Sequence, residues 1–160
     1  MNLLHSVTKI SILLIAMLCL SPVQAEEITE QQKKWLTETF SRQHQALMPK
    51  VAVADMFYGC NRVRKSDAAI LSVPVLVTKI SKEALAEKLE YCLKEDKLNS
   101  DVALNFGLVG CFTDQLSDLT EKDRNDKMVL VENAIKRLSR EERQKSFTKC
   151  VSEQAIKYIK

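Results

Sequence analysis

Four cysteines, Cys60, Cys92, Cys111 and Cys150, are the residues of this chain with the most chemistry open to them. Thiolate redox exchange of the thioredoxin kind uses two cysteines close together in sequence, and these four are widely spaced. Structural zinc sites also draw their ligands from close cysteine pairs, so a four-thiolate zinc site is disfavoured on the same ground. An even number of distant cysteines in an exported chain reads instead as a disulfide framework, with three connectivities to choose among.

His44 is the one histidine beyond the first 25 residues. It follows Phe40 by four positions and precedes Leu47 by three, which puts it on or beside an apolar helical stripe as a packed rim residue. General-base chemistry or a nucleophile triad would need this residue. No G-x-S-x-G, H-E-x-x-H, C-x-x-C or P-loop pattern accompanies it, and C-x-x-C-H is missing, which argues against covalent haem. The carboxylates are mostly interleaved with lysines at helical spacing, as Glu90 is with Lys94, the pattern of a solvated helix face. The reading is therefore of no catalytic, cofactor-binding or metal-ligating residue, and of a protein that is not an enzyme.

Charge is distributed unevenly. Residues 81–126 carry eleven acidic and six basic side chains, whereas 127–160 carry nine basic and four acidic. The acidic stretch includes Asp114, Asp118, Glu121, Asp123 and Asp126, read as a loop over 112–126 and as the candidate partner surface. The basic stretch includes Lys136, Arg137, Arg140, Arg143, Lys145 and Lys149. Such faces either steer a charged partner or meet each other within the molecule.

The elements that must position these residues are helical. Three glycines and three prolines in 160 residues are too few for a hairpin-rich fold. Residues 1–25 read as a cleavable signal peptide, with Lys9, an apolar run from Ile10 to Leu20, and Val23-Gln24-Ala25 before the cut. That run would span about 16 Å as a helix, half of a bilayer core of about 30 Å, too short for a permanent anchor. Lipidation at Cys19 is disfavoured because Met17-Leu18 precedes it. What remains, 26–160, is the length of one domain.

Thr29 and Gln32 form a capping box for a helix over 29–48 that carries Trp35, Leu36, Phe40, Leu47 and Met48 on one stripe. Pro49 ends it and opens a second helix over 50–65. Further helices are expected over 82–96 after Ser81, over 102–119 capped by Asp101, and over 140–159 after Ser139. A shorter segment over 127–138 adds one more. Residues 68–80 are either helical or extended, because Val73-Pro74-Val75-Leu76-Val77 is β-branched.

A weak internal repeat runs through this series. Residues 51–60 align with 102–111, sharing Val-Ala at the start and Gly-Cys at the end. Ser81-Lys82-Glu83 aligns with Ser139-Arg140-Glu141, and a cysteine follows each serine by eleven positions. The expected fold is all-α, a compact bundle of about six or seven helices. After the N-terminal helix it contains two duplicated units, 50–96 and 101–159, each closed by its own disulfide, Cys60–Cys92 and Cys111–Cys150. Gly59 and Gly110 are expected to let a neighbouring helix come close beside the sulfur. The two apolar helices, 50–65 and 101–119, should form the core, related by a pseudo-twofold.

Export, two disulfides and no visible catalytic group lead to a periplasmic protein-binding role, of inhibitor or immunity type, with another envelope protein as partner. A homo-oligomer is compatible with this reading, whereas nucleic acid and stable membrane insertion are not. The alternatives are a periplasmic stress chaperone and a small envelope enzyme built on His44 and distant carboxylates.

Overall fold

The computed structural model describes residues 28–159, which form six helices and no strand. The expected signal peptide over 1–25 and its expected cleavage site lie outside the described residues. The helices are α1 (Glu30–Arg64), α2 (Val73–Lys79), α3 (Lys82–Leu93), α4 (Asp101–Gln115), α5 (Glu121–Arg137) and α6 (Arg140–Ile156). Among the described residues no helix is long and apolar enough to cross a membrane.

Residues 28–35 make the first turns of α1. Here the Thr29–Gln32 capping box is present: Thr29 N–H donates to Gln32 Oε1 at 2.8 Å, and Gln32 N–H donates to Thr29 Oγ1 at 3.2 Å.

Residues 36–159 are an all-helical bundle. Pro49 does not divide its first element; it lies inside α1, contrary to the expected break. Proline withholds one N–H from the ladder and costs about 3 kcal/mol in a helix interior. Leu47 and Met48 pack against the core just before it and Val51 is fully buried just after. Each such side chain contributes roughly 1.5–3 kcal/mol on full burial, so packing across Pro49 outweighs the break.

Of the doubtful segment 68–80, residues 73–79 are helical and 68–72 are not. Ser72 precedes α2, Pro74 occupies its first turn where no ladder N–H is needed, and Val73, Leu76 and Val77 face inward at helical spacing. Ser100, not Asp101, caps α4, its side chain accepting from Ala103 N–H at 3.1 Å. Asp101 is the first helical residue and pairs with Arg140 and Arg143. α4 stops at Gln115 and not at 119. α5 begins at Glu121, earlier than expected, because Thr120 is its cap and accepts from Asp123 N–H. Ser139 and Glu142 form a reciprocal capping box on α6, which ends at Ile156 rather than 159.

Cys60 is bonded to Cys92 and Cys111 to Cys150, with Cα–Cα distances of 6.2 and 6.3 Å. The first bond joins α1 to α3 and the second joins α4 to α6. Arg64 braces the first by donating to the Cys92 carbonyl at 2.9 Å and to Asp96.

α1 and α4 meet backbone to backbone. A Cβ at Gly59 would overlap the Phe106 carbonyl and lie 2.9 Å from its Cα, and one at Gly110 would overlap the Asp55 carbonyl and lie 2.7 Å from its Cα. Gly59 and Gly110 are 51 positions apart, as are Asp55 and Phe106. The offset of the sequence repeat thus exchanges one contact for the other, as a twofold crossing of two like helices would.

Candidate functional site

His44 is held in the bundle. Its Nε2–H donates to the Ser152 backbone oxygen at 2.9 Å, and its ring stacks on Phe40 with centroids 6.1 Å apart. Among the described residues no carboxylate is bonded to it, and it does not line the cavity described below.

The five acidic residues assigned to a partner loop are not together in a loop. Asp114 is buried in α4, Asp118 lies in the short turn 116–120, and Glu121, Asp123 and Asp126 ride the first turns of α5. The physical reason is Thr120. With Asp123 three positions on, it starts a helix, and acidic residues there suit the positive end of the helix dipole. Asp126 also pairs with Lys122 at 3.1 Å. Part of the charge asymmetry is consumed internally, since Arg140 and Arg143 both reach Asp101 and Lys157 lies 3.6 Å from Asp114.

Asp114 belongs instead to a buried polar cluster. Gln154 of α6 donates from Nε2 to Asp114 Oδ2 at 2.9 Å and to Asp55 Oδ1 at 3.2 Å. Its Oε1 rests 3.1 Å from Cys111 Sγ, a bonded sulfur with no hydrogen to give. Asp55 Oδ2 has no hydrogen-bond partner among the described residues, and Asp55 is fully buried. Burial pushes the Asp55 carboxyl well above its ordinary value; Gln154 opposes this and the nearby Asp114 charge adds to it. Burial and the same two carboxylates push the half-buried Tyr158 hydroxyl up as well, so it stays protonated.

A folded state that binds the Asp55 proton more tightly than the unfolded chain is favoured by acid. Its contribution is full below the unfolded value of 3.8 and is lost as pH rises through the raised folded value. Asp55→Asn imitates the neutral acid. We expect it to raise Tm by a few degrees at neutral pH, with the gain shrinking toward zero as pH approaches 4. Thermal unfolding across that range checks this; a variant less stable than the parent at neutral pH would show that the ionised carboxylate is needed.

A cavity of about 460 Å³ opens beside this cluster. α1 contributes Tyr58 and Arg62 to it, α4 contributes Asp114, and α5 contributes Glu121, Arg124 and Met128. Ser72, Pro74 and Ser117 also line it. Reading the sequence for chemistry missed Asp55, Gln154 and the two arginines. The legible signal was Asp55 itself, a lone acid within the apolar run Val51-Ala52-Val53-Ala54-Asp55-Met56-Phe57. Asp55 and Gln154 are 99 positions apart, so no local pattern joins them.

Comparison of the chain with protein-family models, with curated proteins and with solved structures returns no match.

Proposed function

We propose that this is an exported, non-catalytic binding protein, of inhibitor or immunity type, whose partner is another protein of the cell envelope. The observation that carries the reading is the outer face of α5. The helix spends one stripe on the bundle: Met128 and Ile135 are buried, with Arg124 and Val131 half-buried beside them. Val129 and Leu130 point the other way and stand 58% and 69% exposed. Lys122, Asp123, Asp126, Lys127, Glu132 and Lys136 surround them in the sequence and are exposed too. An apolar centre with a rim of mixed charge is the anatomy of a protein interface.

The two disulfides support both export to an oxidising compartment and a rigid frame, which limits the entropy lost on docking. The sign of the Asp55 shift runs against a chaperone opened by acid, because filling that carboxyl with a proton favours the folded state.

The test is retrieval from an envelope extract by the oxidised chain and by the double variant Val129→Glu, Leu130→Glu. Both positions are exposed, so the variant should keep its Tm while losing the protein the parent retrieves. Added salt should weaken the parent's capture. Retrieval of the same proteins by parent and variant, or of nothing above a bare-resin control, sinks the reading.

A further inference from the structure

We propose that the cavity between α1, α4 and α5 binds a small zwitterion, an amino acid or short peptide with a free carboxylate and a free ammonium group. At about 460 Å³ it falls within the range of small-molecule pockets, roughly 300–1,000 Å³. Its polar groups come from separate elements and are largely unspent on the fold. Among the described residues Arg62 enters no ion pair, and its guanidinium lies 6.0 Å from the Tyr58 ring centroid. Among the described residues Arg124 reaches only the Ser117 carbonyl, at 3.4 Å. The Ser72 side chain makes no capping bond to α2. Glu121 is exposed and in no ion pair among the described residues.

The balance of charge identifies the ligand class. Two guanidinium groups offer forked donors to a carboxylate. A bare anion would face the Glu121 and Asp114 carboxylates in the same lining, and a bare cation would face the two arginines. A ligand carrying both charges satisfies both sets: its carboxylate on Arg62 and Arg124, its ammonium on Glu121 with Asp114 behind. Val73, Pro74 and Met128 supply an apolar wall for a side chain. The site is separate from the outer face of α5, since Glu121, Arg124 and Met128 line the cavity whereas Val129 and Leu130 do not.

The experiment is titration of the oxidised, full-length mature chain, followed by amide chemical shifts, with alanyl-leucine and free leucine as probes. N-acetyl-alanyl-leucine, alanyl-leucinamide and inorganic phosphate are the comparisons. Saturable shifts centred on Arg62, Ser117 and Arg124 are expected with alanyl-leucine or leucine. Blocking either end of the dipeptide should weaken binding about tenfold, as should Arg124→Ala or Glu121→Gln, each the loss of one charge-assisted contact. Far-UV circular dichroism confirms that the variants fold. The proposal is overturned if neither zwitterion gives saturable shifts at millimolar concentration, if phosphate binds as well as they do, or if both variants bind like the parent.

Discussion

Replacing Gly110 with alanine is expected to lower the unfolding free energy by about 3 kcal/mol, and Gly59→Ala by a similar amount. Carbon atoms settle about 3.5–4.0 Å apart, yet a Cβ at either glycine would sit within 3 Å of the facing residue's Cα and closer still to its carbonyl. The obstacle is backbone, which has no rotamer to retreat into, so α1 and α4 must separate. The gain of about 1 kcal/mol in helix propensity from Gly to Ala is too small to offset that. Gly107→Ala is the internal comparison. Its Cβ would meet the Phe147 ring at 2.6 Å, and a ring can turn aside. That loss should be nearer 1 kcal/mol. Because one displacement of the helices relieves both crossings, Gly59→Ala and Gly110→Ala together should cost clearly less than their sum. Denaturant unfolding of the oxidised proteins measures all four variants. Full additivity, or a loss below 1 kcal/mol for Gly110→Ala, would show that the helices do not meet where these glycines lie.

The close approach at the Gly-Cys pairs was legible because glycine inside an apolar helix has few other uses. The all-helical class followed from the same scarcity of turn residues, and the serine caps at Ser81 and Ser139 from their own type and the residues after them. The errors have separate causes. Pro49 is a strong local stop signal, overridden by the burial of Val51 and the packing of Leu47 and Met48 on either side of it. Val73–Val77 has strand-like composition, but Ser72 and Pro74 set a helical first turn and three of its residues share a buried face. The supposed acidic loop over 112–126 is divided: 112–115 continue α4, and 121–126 form the start of α5, which Thr120 caps. Each of these is a local preference settled by tertiary contacts or by one unread cap. The polar cluster and the cavity are a different matter. Arg62, Glu121 and Arg124 look like ordinary surface charges in sequence, and only the crossing of α1 with α4 and the packing of α5 against α4 bring them round one space.

The buried acids also make sense of where the second disulfide sits. Gln154 is one helical turn beyond Cys150, on the same helix, and its amide is the only hydrogen-bond donor to Asp55 among the described residues. Holding α6 against α4 through Cys111–Cys150 therefore holds the amide over both carboxylates. Without that hold, Asp55 would either stay buried with no donor or draw water into the core, and each outcome costs free energy.

Substituting Cys111 and Cys150 together by serine should consequently lower stability by about 4 kcal/mol, and the loss should depend on pH. The size follows from the loop, because the bond spans 39 positions and closing such a loop removes unfolded-state entropy worth roughly that much. The Cys60–Cys92 bond spans 32 positions and should contribute nearly as much. Removing both would take away about 8 kcal/mol from a domain whose total is typically 5–15, leaving a chain mostly unfolded at 37 °C. The pH dependence comes from Asp55. Above its raised folded value the buried carboxylate counts against the fold, so the Cys111→Ser, Cys150→Ser protein should be least stable at neutral pH and regain stability on mild acidification. The useful window stops near pH 4.5, the unfolded value of Glu142. Below it the folded-state advantages of Glu142 and Asp67, both held low by their hydrogen bonds, begin to be lost. Adding Asp55→Asn should restore part of the lost stability at neutral pH and flatten the acid dependence. Denaturation midpoints between pH 5 and 8 for the parent, the serine variant and the triple variant decide the matter. A serine variant with the same midpoint throughout that range, or a triple variant no more stable than the serine one, would uncouple the sulfur bond from the acids it closes over.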